Sequence, residues 1–402
     1  MRRAAIADRR ARRVAANGGE CAGTKCGTSP FGLLSTAVPL SPRIAPTEAL
    51  IDVNGTLYGT TVQGGDRGSG TIYSVTTSGV HKLLYRFRGG SDGRTPHGLL
   101  NVNGTLYGTT TFGGDYSCGA GEGCGTVYSV STSGAEKVLY AFKGGSDGEY
   151  PAGSLIDVEG TLYGTTQAGG GGCATDDECG TVFSITTSGA EKVLHSFTYP
   201  PVDGNTPTAG LVDVNGTLYG TTTYGGANLY FGMVFSVSTS GTEKELYSFG
   251  GGSDGAHPAG ASLIDVNGTL YGTTPQGGTG CITGHSGHFA GCGTVFALTT
   301  SGQETVLHRF GSGGGDGIIP NTGLTDVSGT LYGTTYEGGA YGGGIVYNIS
   351  TSGGETTLYS FGGEPADGNG PLASLLNVNG TLYGTTAFGG RHGHGTVFTL
   401  TP

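Results

Sequence analysis

The chain has 402 residues, of which 85 are Gly and 15 are Pro, with no Trp, 21 Tyr, 15 Phe and only 12% charged residues. That content excludes long helices, since each interior Gly costs roughly 1 kcal/mol relative to Ala, and no apolar run approaches the ~18 residues of a membrane-spanning helix. Gly does not recur at every third position, which excludes collagen. The formal net charge is −11, and it becomes −16 once the first 13 residues, with six Arg and one Asp, are set aside. An acidic body without basic–aromatic stretches argues against nucleic-acid binding.

In chain order, residues 1–32 read as an Arg-rich disordered tail carrying Arg2, Arg3, Arg9, Arg10, Arg12 and Arg13. The tail lacks the roughly 7–15-residue apolar segment of a secretory signal. From residue 49 onward the string GTLYGTT occurs seven times, beginning at Gly55, Gly104, Gly160, Gly216, Gly268, Gly329 and Gly380. A period near fifty residues is that of kelch-type propeller blades. The second copy predicts strand a over 99–102, an Asn103-Gly104 hairpin turn, strand b over 105–110 and, after a Gly-rich loop, strand c over 126–131. Thr132-Ser133-Gly134 then turns the chain into strand d over 137–142, and Asp-Gly and Pro punctuate the connection at 144–151. Apolar residues fall at both parities of strands c and d, as in a sheet covered on both faces.

The expected fold is therefore all-β, a single seven-bladed β-propeller of four-stranded blades over 33–402. The blades fall at 49–88, 98–143, 154–198, 210–249, 262–310, 323–361 and 374–402, the last completed by 33–37. The final copy stops at Pro402 after strand c. Leu33 precedes Leu50 by the same interval that Val138 precedes Leu155, which places LLSTA in the strand d register. This N-terminal strand is expected to pair with 396–400 and close the ring, removing an exposed sheet edge.

Eight Cys form four local pairs: Cys21/Cys26, Cys118/Cys124, Cys173/Cys179 and Cys281/Cys292. The last three pairs lie in b–c loops, with the second Cys immediately before the strand c Gly-Thr-Val. Disulfides pinning these loops are the leading reading and imply an oxidising compartment. Free thiols and zinc remain open alternatives, although C-x2-C spacing is absent. Export without a visible signal suggests a truncated or wrongly started reading frame.

Because the strands alternate in direction, the long b–c and d–a loops share one face, the default binding surface. The residue before Gly-Gly in the b–c loop differs between copies: Gln63, Phe112, Ala168, Tyr224, Gln276, Glu337 and Phe388. Aromatics alternating with amides suit stacking against a sugar or peptide, and Tyr116, Tyr230, Phe231 and Tyr341 enlarge the patch. Gln63, Phe112, Tyr224, Gln276, Glu337 and Phe388 are the candidate ligand-binding residues, although each could merely cover its loop end. The repeated Asp-Gly of the d–a loops (Asp92, Asp147, Asp203, Asp254, Asp316, Asp367) reads as turn capping in preference to calcium binding. Asp52, Asn101, Asp157, Asp213, Asp265, Asp326 and Asn377 of strand a read as hairpin caps, with a cation ring as the alternative. His285, His288, His392 and His394 read as solvated loop residues, and His195 and His308, in the place of a strand d Tyr, as core. No catalytic, metal or cofactor motif is present.

The succession GTLYGTT, Gly-Gly, GTVFS, TSGxEKVLYSF and GGSDGxxP resembles the choice-of-anchor tandem-repeat proteins called GloVer-containing, over residues 49–402. That resemblance implies export and attachment to the bacterial cell surface by an interchangeable C-terminal anchor. The chain departs from the pattern by ending at Thr401-Pro402 within the last blade. The resemblance implies no catalytic residue.

The expected function is a non-enzymatic exported propeller that binds a glycan or protein on its loop-rich face. It is expected to be monomeric, to use no cofactor and to have no membrane-spanning segment. The alternative is a propeller hydrolase or lyase acting on carbohydrate, for which Glu337 and the loop His are the candidates.

Overall fold

The computed structural model describes residues 31–35, 46, 48–65, 67–116, 118, 121–171, 179–198, 203–258, 260, 262–278, 291–364 and 367–402, with 31–35 as a backbone path. Among these residues there is no α-helix, only strands, turns and two three-residue 3-10 turns. The strands form seven antiparallel sheets in the order a-b-c-d, and three two-stranded ribbons pair segments of the loops beside them. In the second blade these strands are Leu100–Val102, Thr105–Phe112, Thr126–Ser131 and Glu136–Ala141. The sheets surround one axis as a seven-bladed propeller, strand a innermost.

The a–b hairpins turn with positive φ at both central residues in all seven copies. Asn54 and Gly55 have φ of 52° and 79°, and even Glu159 and Ser328 adopt 52° and 54°. This is the turn whose twist matches the flanking strands. Its strand a side chain contributes too: Asp52, Asn101, Asp265, Asp326 and Asn377 each accept the amide of the Gly three residues on, at 2.9–3.0 Å. These carboxylates and amides cap hairpins on the face opposite the long loops.

The ring closes through Phe31–Ser35, which pairs antiparallel with Thr396–Leu400 as strand d of the last blade. Leu33 lies opposite Phe398 just as Val138 lies opposite Tyr128, so the expected register holds. The strand runs from residue 31 to 35, however, and not from 33 to 37. Its partner ends at Leu400, and that residue faces Phe31.

Packing between blades supplies the core. Among the described residues the buried side chains divide into seven clusters, each drawn from two neighbouring blades. The seventh joins Tyr383 and Val397 to Leu50, Leu57, Tyr73 and Val75, the last blade to the first. At six seams the last Phe of the strand d motif meets the strand c ring of the next blade. Phe87–Tyr128, Phe142–Phe183, Phe197–Phe235, Phe249–Phe296, Phe310–Tyr347 and Phe361–Phe398 pack edge-on at 5.0–5.2 Å between centroids. Such T-shaped pairs add about 0.5–1.5 kcal/mol each beyond burial. The second Gly of GTLYGTT makes room for the ring. A Cβ on Gly220 would lie 2.5 Å from Phe235 Cζ and 2.8 Å from Leu211 Cδ2.

Phe249 is fully buried, whereas Tyr230 is 63% exposed. Phe249→Ala should cost about 3–5 kcal/mol in urea unfolding, and Tyr230→Ala should leave the midpoint in place. An unmoved midpoint in Phe249→Ala would show that the aromatic seam does not hold the blades together.

Candidate functional site

The long-loop face is built on the Asp-Gly connections. Each Asp folds back onto the chain: Asp92, Asp147 and Asp254 accept the amides of Arg88, Lys143 and Gly250 at 2.6–2.8 Å. Two residues past the Gly, the chain takes a left-handed conformation immediately before Pro. Thr95, Tyr150, Thr206, His257 and Ile319 have φ of 53–59°. This is costly for any side chain and most so for β-branched Thr and Ile. Their amides are anchored across the seam, Thr95 to the Ser69 carbonyl, Tyr150 to that of Cys124 and Ile319 to that of Cys292, at 2.9 Å. The strained step holds the residues that follow each Pro toward the axis.

There a cavity of about 290 Å³ receives residues from all seven blades, among them Glu48, His97, Ser154, Thr208, Ser262, Asn321 and Ser374. Its lining is mostly small and polar. His97 is held on both sides, with Nδ1 3.2 Å from Glu48 Oε1 and Nε2 2.8 Å from Thr111 Oγ1. The innermost residue before each strand a Leu reads Ala49, Gly98, Ser154, Gly210, Ser262, Gly323 and Ser374 around the ring. Each Ser hydroxyl leans over the Gly of the preceding blade. Gly210 donates its amide to Ser262 Oγ at 3.1 Å, and a Cβ on Gly98, Gly210 or Gly323 would come within 2.1–2.9 Å of the next blade's Oγ.

The residues before Gly-Gly lie on the rim of this face, and their backbones tie the two loops of a blade together. Phe112, Ala168, Tyr224, Glu337 and Phe388 pair with Arg94, Glu149, Asn205, Ile318 and Asn369 of the d–a connections, and Gln276 bridges to Ala256. Their side chains diverge. Phe112 is half-buried under the Arg94 guanidinium, 4.8 Å from its ring, and against Tyr150, while Arg94 also pairs with Glu122. Ala168 is buried, Gln276 is half-buried, and Gln63 and Glu337 are exposed. Tyr224 and Phe388, with Tyr116, Tyr230 and Tyr341, are 42–65% exposed. Tyr224 also rests on the His257 ring at 5.1 Å, and Phe231 packs against the same ring. Glu337 does not reach the axis. The copies' differences at the position before Gly-Gly do not point to the axial pair Glu48–His97. The residue after each d–a Pro, His97 beside Ala152, Thr208 and Asn321, carries that signal.

Cys118 and Cys124 are bonded to each other, and Cys179 and Cys292 are each disulfide-bonded. Cys21, Cys26, Cys173, Cys281, His285 and His288 lie outside the described residues. His392 is exposed on the last blade's loop with His394 beside it. Among the described residues, the groupings of His with two carboxylates are His195–Asp203–Glu243 and His308–Asp316–Glu355. Both lie at seams between blades and not on the axis.

A family profile, the Gloeobacter/Verrucomicrobia repeat, matches residues 45–284 and 281–402. The chain belongs to this repeat family. No curated protein matches it at a significant level. Among solved structures, the WD40 domain of Neurospora crassa Pan2 superimposes with a TM-score of 0.51 at 10% identity, over 89% of this chain and 90% of that one. A luciferin-regenerating enzyme gives a TM-score of 0.44 at 12% identity, over 92% and 95%. The likeness to the WD40 domain is one of fold alone. No helix of the described residues is long and apolar enough to cross a membrane.

Three seams of this chain carry a second polar feature. A strand d Tyr donates to the Asp of its own d–a connection: Tyr85 to Asp92, Tyr140 to Asp147 and Tyr247 to Asp254, at 2.6–2.9 Å. The Glu that opens strand d of the next blade lies against the same Asp. Burial pushes Glu136 up to about 7, and the Asp92 charge adds to the shift while Arg88 opposes it. Glu191 is raised to about 7 by burial and then by the Asp147 charge. Glu243 and Glu304 are also raised to about 7, burial being the main cause.

In the unfolded chain these Glu titrate near their ordinary 4.5, whereas the folded protein keeps Glu136 and Glu191 protonated to about 7. Their contribution to stability is intact below pH 4.5 and is lost as the pH rises through 7. Glu136→Gln/Glu191→Gln, which mimics the protonated state, should therefore unfold at higher urea than the parent at pH 8, by on the order of 1 kcal/mol after solvent screening. At pH 4.5 the two proteins should coincide. Equal midpoints at both pH values would remove the carboxyl pairing.

Proposed function

We propose that this repeat propeller is a non-enzymatic, exported binding module that takes a glycan on its long-loop face. The observation that carries the reading is the axial cavity, lined by hydroxyls, the Asn321 amide and the Glu48–His97 pair. On the same face stand exposed Tyr116, Tyr224, Tyr230, Tyr341 and Phe388. At about 290 Å³ the cavity sits at the small end of ligand sites, which begin near ~300 Å³. One sugar unit fills such a space, while neighbouring units lie against the rim rings, whose flat faces suit the C–H face of a pyranose. The hydroxyl-rich lining favours a carbohydrate over an apolar peptide. The disulfide at Cys118–Cys124 supports an oxidising, exported setting, as does the family resemblance.

A second reading rests on His97 alone. Its two nitrogens lie between a carboxylate and a hydroxyl, an arrangement that can orient an acid–base imidazole. It would make the axis the centre of a carbohydrate hydrolase or lyase.

A glycan array separates these readings. The parent protein should retain a subset of glycans without consuming them. Tyr224→Ala/Phe388→Ala and, separately, His97→Ala should each weaken that retention at least about tenfold, since one aromatic–ligand contact is worth on the order of 1 kcal/mol and two are removed together. Turnover of an arrayed glycan, lost in His97→Ala and Glu48→Gln, would establish the enzymatic reading instead. No retention of any glycan would overturn both.

A further inference from the structure

We propose that the seam between the fifth and sixth blades binds a divalent transition metal of the zinc class through His308, Asp316 and Glu355. The repeat itself exposes the departure. Where strand d carries Tyr, the phenol donates to the seam Asp and the contact is complete. At this seam His308 takes that place. Its Nε2 stands 3.6 Å from Asp316 Oδ1, too far for a hydrogen bond, and both atoms are buried without a hydrogen-bond partner.

The Asp316 side chain is only 9% exposed and is aimed. Its Oδ2 is tied to the Ser312 amide at 3.0 Å and the Ser312 hydroxyl at 3.1 Å, which leaves Oδ1 facing the imidazole. Glu355, from strand d of the next blade, brings a carboxylate oxygen to within 4.8 Å of both. Thr357 Oγ1 steadies Glu355 through Oε1 at 3.2 Å.

An ion about 2.1 Å from each of two ligand atoms that are 3.6 Å apart subtends roughly 120° between them, within the range of a four-coordinate zinc site. One imidazole and two carboxylates suit zinc and its neighbours; calcium requires six to eight oxygens. Three protein ligands leave a fourth position for water. The ion would also neutralise two carboxylates brought together in a partly buried seam.

The related trio His195–Asp203–Glu243 is the internal comparison. There Nε2 is already bonded to Asp203 Oδ2 at 3.0 Å, and the same oxygen accepts the Thr198 amide. Its nitrogen and oxygen are committed to each other, so the metal is assigned to the His308 seam.

The test uses the full chain without an affinity tag, stripped of metal and titrated with zinc chloride in a calorimeter, with bound zinc counted by elemental analysis after dialysis. The variants are His308→Tyr and His195→Tyr, each installing the residue that other blades carry at that position, so both retain the fold. His308→Tyr should hold one zinc equivalent fewer than the parent, and His195→Tyr the same number. Zinc should raise the thermal midpoint of the parent and of His195→Tyr but not of His308→Tyr. An unchanged zinc count in His308→Tyr, an equivalent lost in His195→Tyr instead, or no zinc bound by the parent would each overturn the assignment.

Discussion

The edge-on contact between the strand d Phe of one blade and the strand c ring of the next is the interaction on which this molecule depends. A blade of four short strands has two apolar faces and no interior of its own, so it buries surface only by stacking on neighbours. Phe142 against Phe183 and Phe249 against Phe296 sit fully buried at that joint. The glycine under each ring, such as Gly220, exists to let the ring descend onto strand b. Stability is thereby distributed over the seams, and every seam needs a partner on both sides. Closure through Phe31–Ser35 and the cluster joining Tyr383 to Tyr73 satisfies the last pair.

The seams divide the labour radially. Near the axis the chain is drawn inward by a left-handed residue before Pro, and the strain at Thr95 or Ile319 is offset by amide contacts to the adjoining blade. Farther out, a Tyr or His, an Asp and a Glu meet at the same joint, and burial of the Glu carboxyl keeps it neutral into the physiological range. Rigid joints with fixed inner ends are what allow seven unrelated side chains to meet at one cavity. Strain held in this way pre-organises a surface before any ligand arrives.

The fold was legible because its determinants repeat. Asn-Gly, Tyr-Gly and Ser-Gly recur at turns, and the Leu33 register could be counted from Val138. What repetition cannot display is a site made by residues that do not repeat. His97 and Glu48 stand in adjacent blades, 49 positions apart, and their meeting depends on the ring geometry that brings the inner ends together. The rim position before Gly-Gly varies in its side chains from copy to copy. Its backbone proves to be a structural bridge, and burial then sorts the variants, with Ala168 inside and Tyr224 and Phe388 outside. Sequence spacing shows which residues share a loop; it does not show which of them the neighbouring blade covers.

The serine and glycine collar at the axis carries a consequence of simple arithmetic. Ser and Gly alternate from Gly98 through Ser374, each hydroxyl occupying the gap left by the glycine beside it. Alternation of two kinds around an odd number of places must fail once, and it fails at Ala49, between Ser374 and Gly98. That is where Glu48 and His97 stand. A ring of even number could have been uniform all the way round and therefore indifferent to orientation. Seven blades force a single defect in the pattern, and the defect gives an otherwise rotationally degenerate mouth one distinguishable direction in which a ligand can lie.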